Sequence, residues 1–137
     1  MRYPEASTPA IIVTTPDEWS LHRETGGKIV ITAPDDSIVL TATLLPFDGE
    51  LDALANSVAE AAKATEPQTS LDASISSYEG YSYTTRLKSD PDTVFRIITI
   101  QVANSHAVVV TQTMKANIAV EKAWAAENVI LRMRVIR

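Results

Sequence analysis

Glu127 and Arg96 are the charged residues whose positions invite a chemical reading. Glu127 falls within the arc that Val120, Ala123, Trp124, Ile130 and Leu131 trace on a helical wheel. A carboxylate there is paired, protonated or at the rim of the arc, because an unpaired buried charge is costly. In one placement its stem lies along the helix edge and its head reaches water. In the other it is a polar site in the core, in an ion pair with a strand arginine such as Arg96 or as a polar floor to a pocket. The residues leave both open. Tyr78, Tyr81 and Tyr83 cluster in sequence and suit a partner or apolar-ligand surface, since tyrosine buries area while keeping a polar tip. Cross-strand packing accounts for the same pattern. Trp19 and Trp124 read as core anchors.

Other chemistries lack their residues. Four glycines, Gly26, Gly27, Gly49 and Gly80, cannot compose a dinucleotide fingerprint, a nucleophile elbow or a phosphate loop, and Gly26-Gly27-Lys28 runs into Ile29 where such a loop needs Ser or Thr. His22 and His106 do not form the paired spacing that puts two imidazoles on one metal. Asp35-Asp36 and Asp90-Pro91-Asp92 lack the spaced oxygens and glycine of a calcium loop and read as turns. No catalytic residue, cofactor or metal ligand is expected.

The elements that must position these residues follow from periodicity. Residues 1–17 read as an extended arm with a short strand at Ala10-Ile11-Ile12-Val13. A hairpin turns at Gly26-Gly27, and a second turn at Pro34-Asp35-Asp36-Ser37 leads into a strand from Ile38 to Leu45. Helical spacing of Leu51, Leu54, Ala55, Val58 and Ala62 predicts a helix over 48–66, with Asp48 as its N-cap and Pro67 as its stop. Gly80 to Arg86 alternates as a half-exposed strand. Val94–Val102 and Ala107–Met114 are the strongest strands, joined at Asn104-Ser105. A C-terminal helix over 117–134 gives way to an alternating tail expected to lie extended beside the sheet. The order gives an α+β fold, an antiparallel sheet of about six strands with two main helices packed on one face.

A chain of 137 residues that is 45% hydrophobic and 21% charged suits a single domain over 1–137 without disulfides or structural metal, and it has no cysteine. Its net charge of −5 argues against nucleic acid as a partner. Acidic residues dominate up to residue 80 and basic ones thereafter, which polarises the surface wherever the two halves fail to interleave. No apolar run is long enough to insert in a membrane as a helix. The first residues lack the pattern of a secretory signal. The address is cytoplasmic if Met1 is the native start, and periplasmic or lumenal if a signal was removed.

Pro16-Asp17-Glu18-Trp19, the strand pair after it, the helix opening near Leu51-Asp52-Ala53-Leu54, Gly80-Tyr81, the long hairpin and the final helix together resemble the PsbP-like superfamily. That superfamily also includes DcrB-like proteins and a Ran-binding nuclear import factor. The resemblance spans about residues 10 to 135 and implies the PsbP-like fold with a non-catalytic binding role, and no functional residue carries over. The expected function is protein binding, or an assembly or chaperone-type role, with another protein engaged through the sheet or its edge. The alternative is a small-molecule or lipid carrier using the apolar sheet face. Open sheet edges also suit a homodimer.

Overall fold

The computed structural model of the chain describes residues 10–24, 28–65, 68–75, 77–102 and 105–136. The Gly26-Gly27 turn, Pro67, Asn104 and the first nine residues of the expected arm lie outside the described residues. The elements are β1 (Ala10–Ile12), β2 (Ser20–Glu24), β3 (Lys28–Thr32), β4 (Ile38–Pro46), α1 (Leu51–Ala61), β5 (Gln68–Ile75), β6 (Tyr78–Arg86), β7 (Thr93–Val102), β8 (His106–Lys115), α2 (Val120–Leu131) and β9 (Arg134–Ile136). A seven-stranded antiparallel sheet runs in the order β2-β3-β4-β8-β7-β6-β5, and β1 pairs with β9 in a second, two-stranded sheet. The α+β class is that expected from the sequence, and the large sheet has seven strands where about six were expected, with β5 formed by Gln68–Ile75.

The helices do not share a face. In β7 and β8 successive side chains point to opposite sides of the sheet. Ile98, Ile100, Val108 and Val110 pack with Ala126, Val129 and Ile130 of α2. Phe95, Ile97, Ala107 and Val109 pack with Leu54, Ala55 and Ala59 of α1. The central strands are apolar on both parities, so each face needs its own cover, and one helix is committed to each. The tail is extended, but β9 pairs with β1 and not with the large sheet. Its Val135 lies opposite Ile11, and both are buried in the α2-side core.

Both helices are shorter than their periodicity predicts. α1 starts from Glu50 as N-cap, with no side-chain capping bond and without Asp48 in that role. It ends before Pro67 through backbone bonds alone. The Lys63 N–H donates to the Glu60 carbonyl (3.0 Å) and the Ala64 N–H to the Ala59 carbonyl (2.9 Å), with Lys63 at φ 56°. This is the Schellman arrangement, whose left-handed residue is ordinarily glycine.

α2 is rotated from the face its largest apolar residues suggest. Ala126, Val129 and Ile130 are buried, with Met133 just past the helix end, whereas Val120, Trp124 and Leu131 are 56%, 68% and 63% exposed. Trp124 is therefore not a core anchor. The small side chain of Ala126 lets the helix lie close on the sheet, where an indole would hold it away. Trp19 does pack, partly buried, against the α2-side core, in a turn closed by its N–H to the Pro16 carbonyl (3.0 Å). Lys122 on α2 pairs with Asp35 in the β3–β4 turn, so acidic and basic parts of the sequence do meet.

Lys63→Gly removes the cost of a side chain in the left-handed region. The variant is expected to be more stable by about 0.5–1 kcal/mol after allowing for the extra freedom glycine gives the unfolded chain. Urea denaturation of the two proteins at equal slope measures the difference.

Candidate functional site

The site is set by what β6 presents to α2. Register pairs Gly80 with Ile100, Ser82 with Ile98 and Thr84 with Arg96, so between Tyr78 and Arg86 the α2-side face of β6 carries only small residues. At Gly80 even a methyl is excluded, because a Cβ would fall 1.8 Å from the Thr99 carbonyl oxygen. Small residues on β6 leave room between the sheet and the C-terminal half of α2. That space is a cleft of about 360 Å³ lined by Ala73, Ser74 and Ile75 of β5, Ser82 and Thr84 of β6, Arg96 and Ile98 of β7, and Glu127, Ile130 and Leu131 of α2. It opens beside β5, which ends the strand order.

Arg96 and Glu127 meet in this cleft. The guanidinium donates to Glu127 Oε1 at 2.5 Å, and its second terminal nitrogen lies 3.5 Å from Oε2. Its Nε donates to Ser82 Oγ at 3.0 Å. The fork of arginine suits this two-point grip on a carboxylate. The Arg96 and Glu127 side chains are 25% and 41% exposed, so the pair sits at the cleft's floor and rim rather than deep in the core. Of the two placements open for Glu127, the structure shows the ion pair. The cleft therefore offers an ionic group, hydroxyls and an apolar wall of Ile98, Ile130 and Leu131 within one concavity.

The three tyrosines do not form one surface. Tyr78 packs half-buried against the α2-side core. Tyr81 and Tyr83, two positions apart, lie on the α1 side, their ring centroids 6.3 Å apart and tilted by 56°. The switch of sides comes from position, since Tyr78 stands at an odd separation from the other two and strands alternate. Tyr81 is exposed, whereas Tyr83 is buried in the α1-side core and donates its hydroxyl to Asp52 Oδ1 at 2.5 Å. Burial, then the neighbouring Asp52 carboxylate, pushes the Tyr83 phenol up to about 12.

The acidic turns are held internally. Hydrogen bonds from Lys122, then from Ser37, keep the Asp35 carboxyl well below the usual carboxylate range. Lys115, then Thr93, lower that of Asp90. Among the described residues no group of three histidine, aspartate or glutamate side chains is placed to hold a metal ion.

Ser82 and Thr84 were missed as site residues by sequence reasoning. Their signal is the small-residue parity Gly80, Ser82, Thr84 in a strand whose other parity is Tyr81, Tyr83, Thr85. Only the register that sets Thr84 opposite Arg96 makes it legible.

No protein-family model and no curated protein sequence matches the chain. Solved structures do. LpqN of Mycobacterium tuberculosis, a protein involved in cell envelope biogenesis, superposes with a TM-score of 0.67 at 14% identity, over 97% of this chain and 87% of LpqN. Cyanobacterial PsbP (CyanoP) of Synechocystis sp. PCC 6803 superposes with a TM-score of 0.60 at 7% identity, over 99% of this chain and 98% of CyanoP. The chain has the PsbP-like fold over nearly its whole length. No helix among the described residues is long and apolar enough to cross a membrane.

Two measurements check the site's electrostatics. A double-mutant cycle with Arg96→Gln and Glu127→Gln is expected to return a coupling of about 0.5–1 kcal/mol, the partly exposed pair being screened by solvent and weakened further in salt. In an absorbance titration at 295 nm, Tyr83 is expected to ionise near pH 12, and Tyr83→Phe removes that step. Because the folded-state value is raised, Tyr83's contribution to stability is full below the unfolded tyrosine value of about 10. It is lost as pH rises from there through 12.

Proposed function

We propose that this chain is a non-catalytic polypeptide-binding domain, of assembly or chaperone type. Its partner adds an extended segment along the free side of β5 and lays alternate side chains into the cleft beside α2. The carrying observation is the coincidence of a sheet edge with a concavity. β5 is the terminal strand of the large sheet, and the cleft lined by Arg96, Glu127, Ser82 and Leu131 opens next to it. An edge strand supplies main-chain hydrogen bonds to an incoming strand, and pockets for every second side chain supply selectivity. The mixed lining suits a segment that carries both an apolar and a hydrogen-bonding side chain. LpqN and CyanoP share the fold at low identity, so they support the architecture of this reading and not its partner.

The carrier reading has less room. Both faces of the central strands are covered by helices, and a cleft of about 360 Å³ is at the small end of ligand pockets.

Affinity capture from the source cell, followed by native mass spectrometry of the purified protein, separates the two. Wild-type protein is expected to return a polypeptide whose capture falls at least tenfold in Thr84→Trp, which fills the cleft from an exposed position, and in Arg96→Gln. Melting temperatures should remain close to wild type. A co-purifying small-molecule mass with no polypeptide, or capture unaffected by both variants, overturns the proposal.

A further inference from the structure

Val120, Trp124, Glu127 and Leu131 follow one another at intervals of four, three and four residues, the spacing of a coiled-coil seam. Val120, Trp124 and Leu131 lie on the side of α2 away from the buried row of Ala126, Val129 and Ile130, and Glu127 lies at the inner edge of the stripe, where it reaches Arg96. The three apolar members are among the most exposed large hydrophobic side chains of the described residues. A stripe of this kind on a helix that already packs by its other side is unpartnered, and its sequence says what fits it. The stripe is symmetric about its own centre, the point between Ala125 and Ala126. When a second α2 runs antiparallel across a two-fold axis at that point, Val120 falls opposite Leu131, and Trp124 falls opposite Glu127. Such a self-complementary patch is what an isologous interface requires.

The polar position fits as well as the apolar ones. Glu127 is gripped by Arg96, so the group opposite Trp124 is a guanidinium–carboxylate pair, the arginine held flat by bonds to Ser82 and Glu127. An indole is the best aromatic partner for a guanidinium face. Lys122 is engaged with Asp35, which leaves it committed outside the stripe. Ala123, beside the stripe, is small enough for close helix approach.

We propose that two copies of this chain associate through α2, antiparallel, with Val120 against Leu131 and Trp124 over the Arg96–Glu127 pair of the other copy. This goes beyond the polypeptide-binding reading and competes with it for Arg96, Glu127 and Leu131; capture tests that reading, whereas the mass and cross-linking of the purified protein alone test this one. The seam is short and buries less than a standard specific interface of roughly 1,200–2,000 Å². Association is therefore expected in the range of roughly ten to a few hundred micromolar, with rapid exchange.

Sedimentation equilibrium from micromolar to near-millimolar protein reads the association. The wild-type mass is expected to rise from the 14.9 kDa of one chain towards twice that value. Trp124→Ala is expected to stay at one chain with its melting temperature unchanged, since the ring is 68% exposed. The register is tested in the cysteine-free chain by oxidation. Val120→Cys combined with Leu131→Cys is expected to cross-link into dimers. Val120→Cys alone is not, because the axis leaves the two copies of that position roughly 16 Å apart along the helices. Wild-type protein that stays at one chain throughout, a dimer that persists in Trp124→Ala, or equal cross-linking by the single and double cysteine variants overturns the proposal.

Discussion

Burial of both faces of β7 and β8 is the constraint from which the rest of this molecule follows. Ile97 and Ile98, or Val109 and Val110, are neighbours in sequence that point in opposite directions, and all four are buried. Neither face can be left to water, so α1 is laid on one and α2 on the other. A helix is about 10 Å across and strands are spaced by about 4.8 Å, so one helix shields roughly two strands. A seven-stranded sheet therefore keeps incompletely covered flanks. On one flank β2 is exposed along its whole length. On the other, the small residues of β6 leave the cleft.

The cleft shows how an ionic group comes to lie in an otherwise apolar row. Along the face of β7 that meets α2, Arg96 shares its parity with Val94, Ile98, Ile100 and Val102. Ser82 across the register and Glu127 from the helix above satisfy the guanidinium, and partial exposure limits its desolvation. None of these partners is near Arg96 in the chain. The arrangement depends on β6 being thin where β7 carries its charge.

Much of the fold was legible in the residues. The alternation of Ile38, Leu40 and Ala42 is buried as its period of two requires, and Leu54 and Ala55 of the spaced α1 row are buried with Leu51, Val58 and Ala62 packed partly buried beside them, while the buried Ala59 lay outside that row. The covering of both faces was legible too, in the adjacent apolar positions Ile97-Ile98 of β7 and Ala107-Val108-Val109-Val110 of β8, because strands buried on two sides lose their alternation. The expectation of both helices on one face came from the simplest α+β packing, which left those positions out of account. α2 was misjudged for another reason. Weighting large apolar residues placed Trp124 and Leu131 inward, whereas close packing on a sheet favours Ala126. The Arg96–Glu127 pair was legible as an option and not as an outcome, since its choice depends on register. The pairing of β1 with β9 joins segments from the two ends of the described chain, and no local pattern in either strand encodes the other.

That pairing sets an order of events. Ile11 is buried only when Val135 lies beside it, and Val135 is reached only after every other element has been made. Closing so long a loop costs entropy that is recovered only once the core beneath is formed. During synthesis the Ala10–Ile12 segment must wait, with its apolar side uncovered, while the sheet and both helices assemble. The two short strands thus act as a final latch, and the α2-side core is sealed by the described element that is made last.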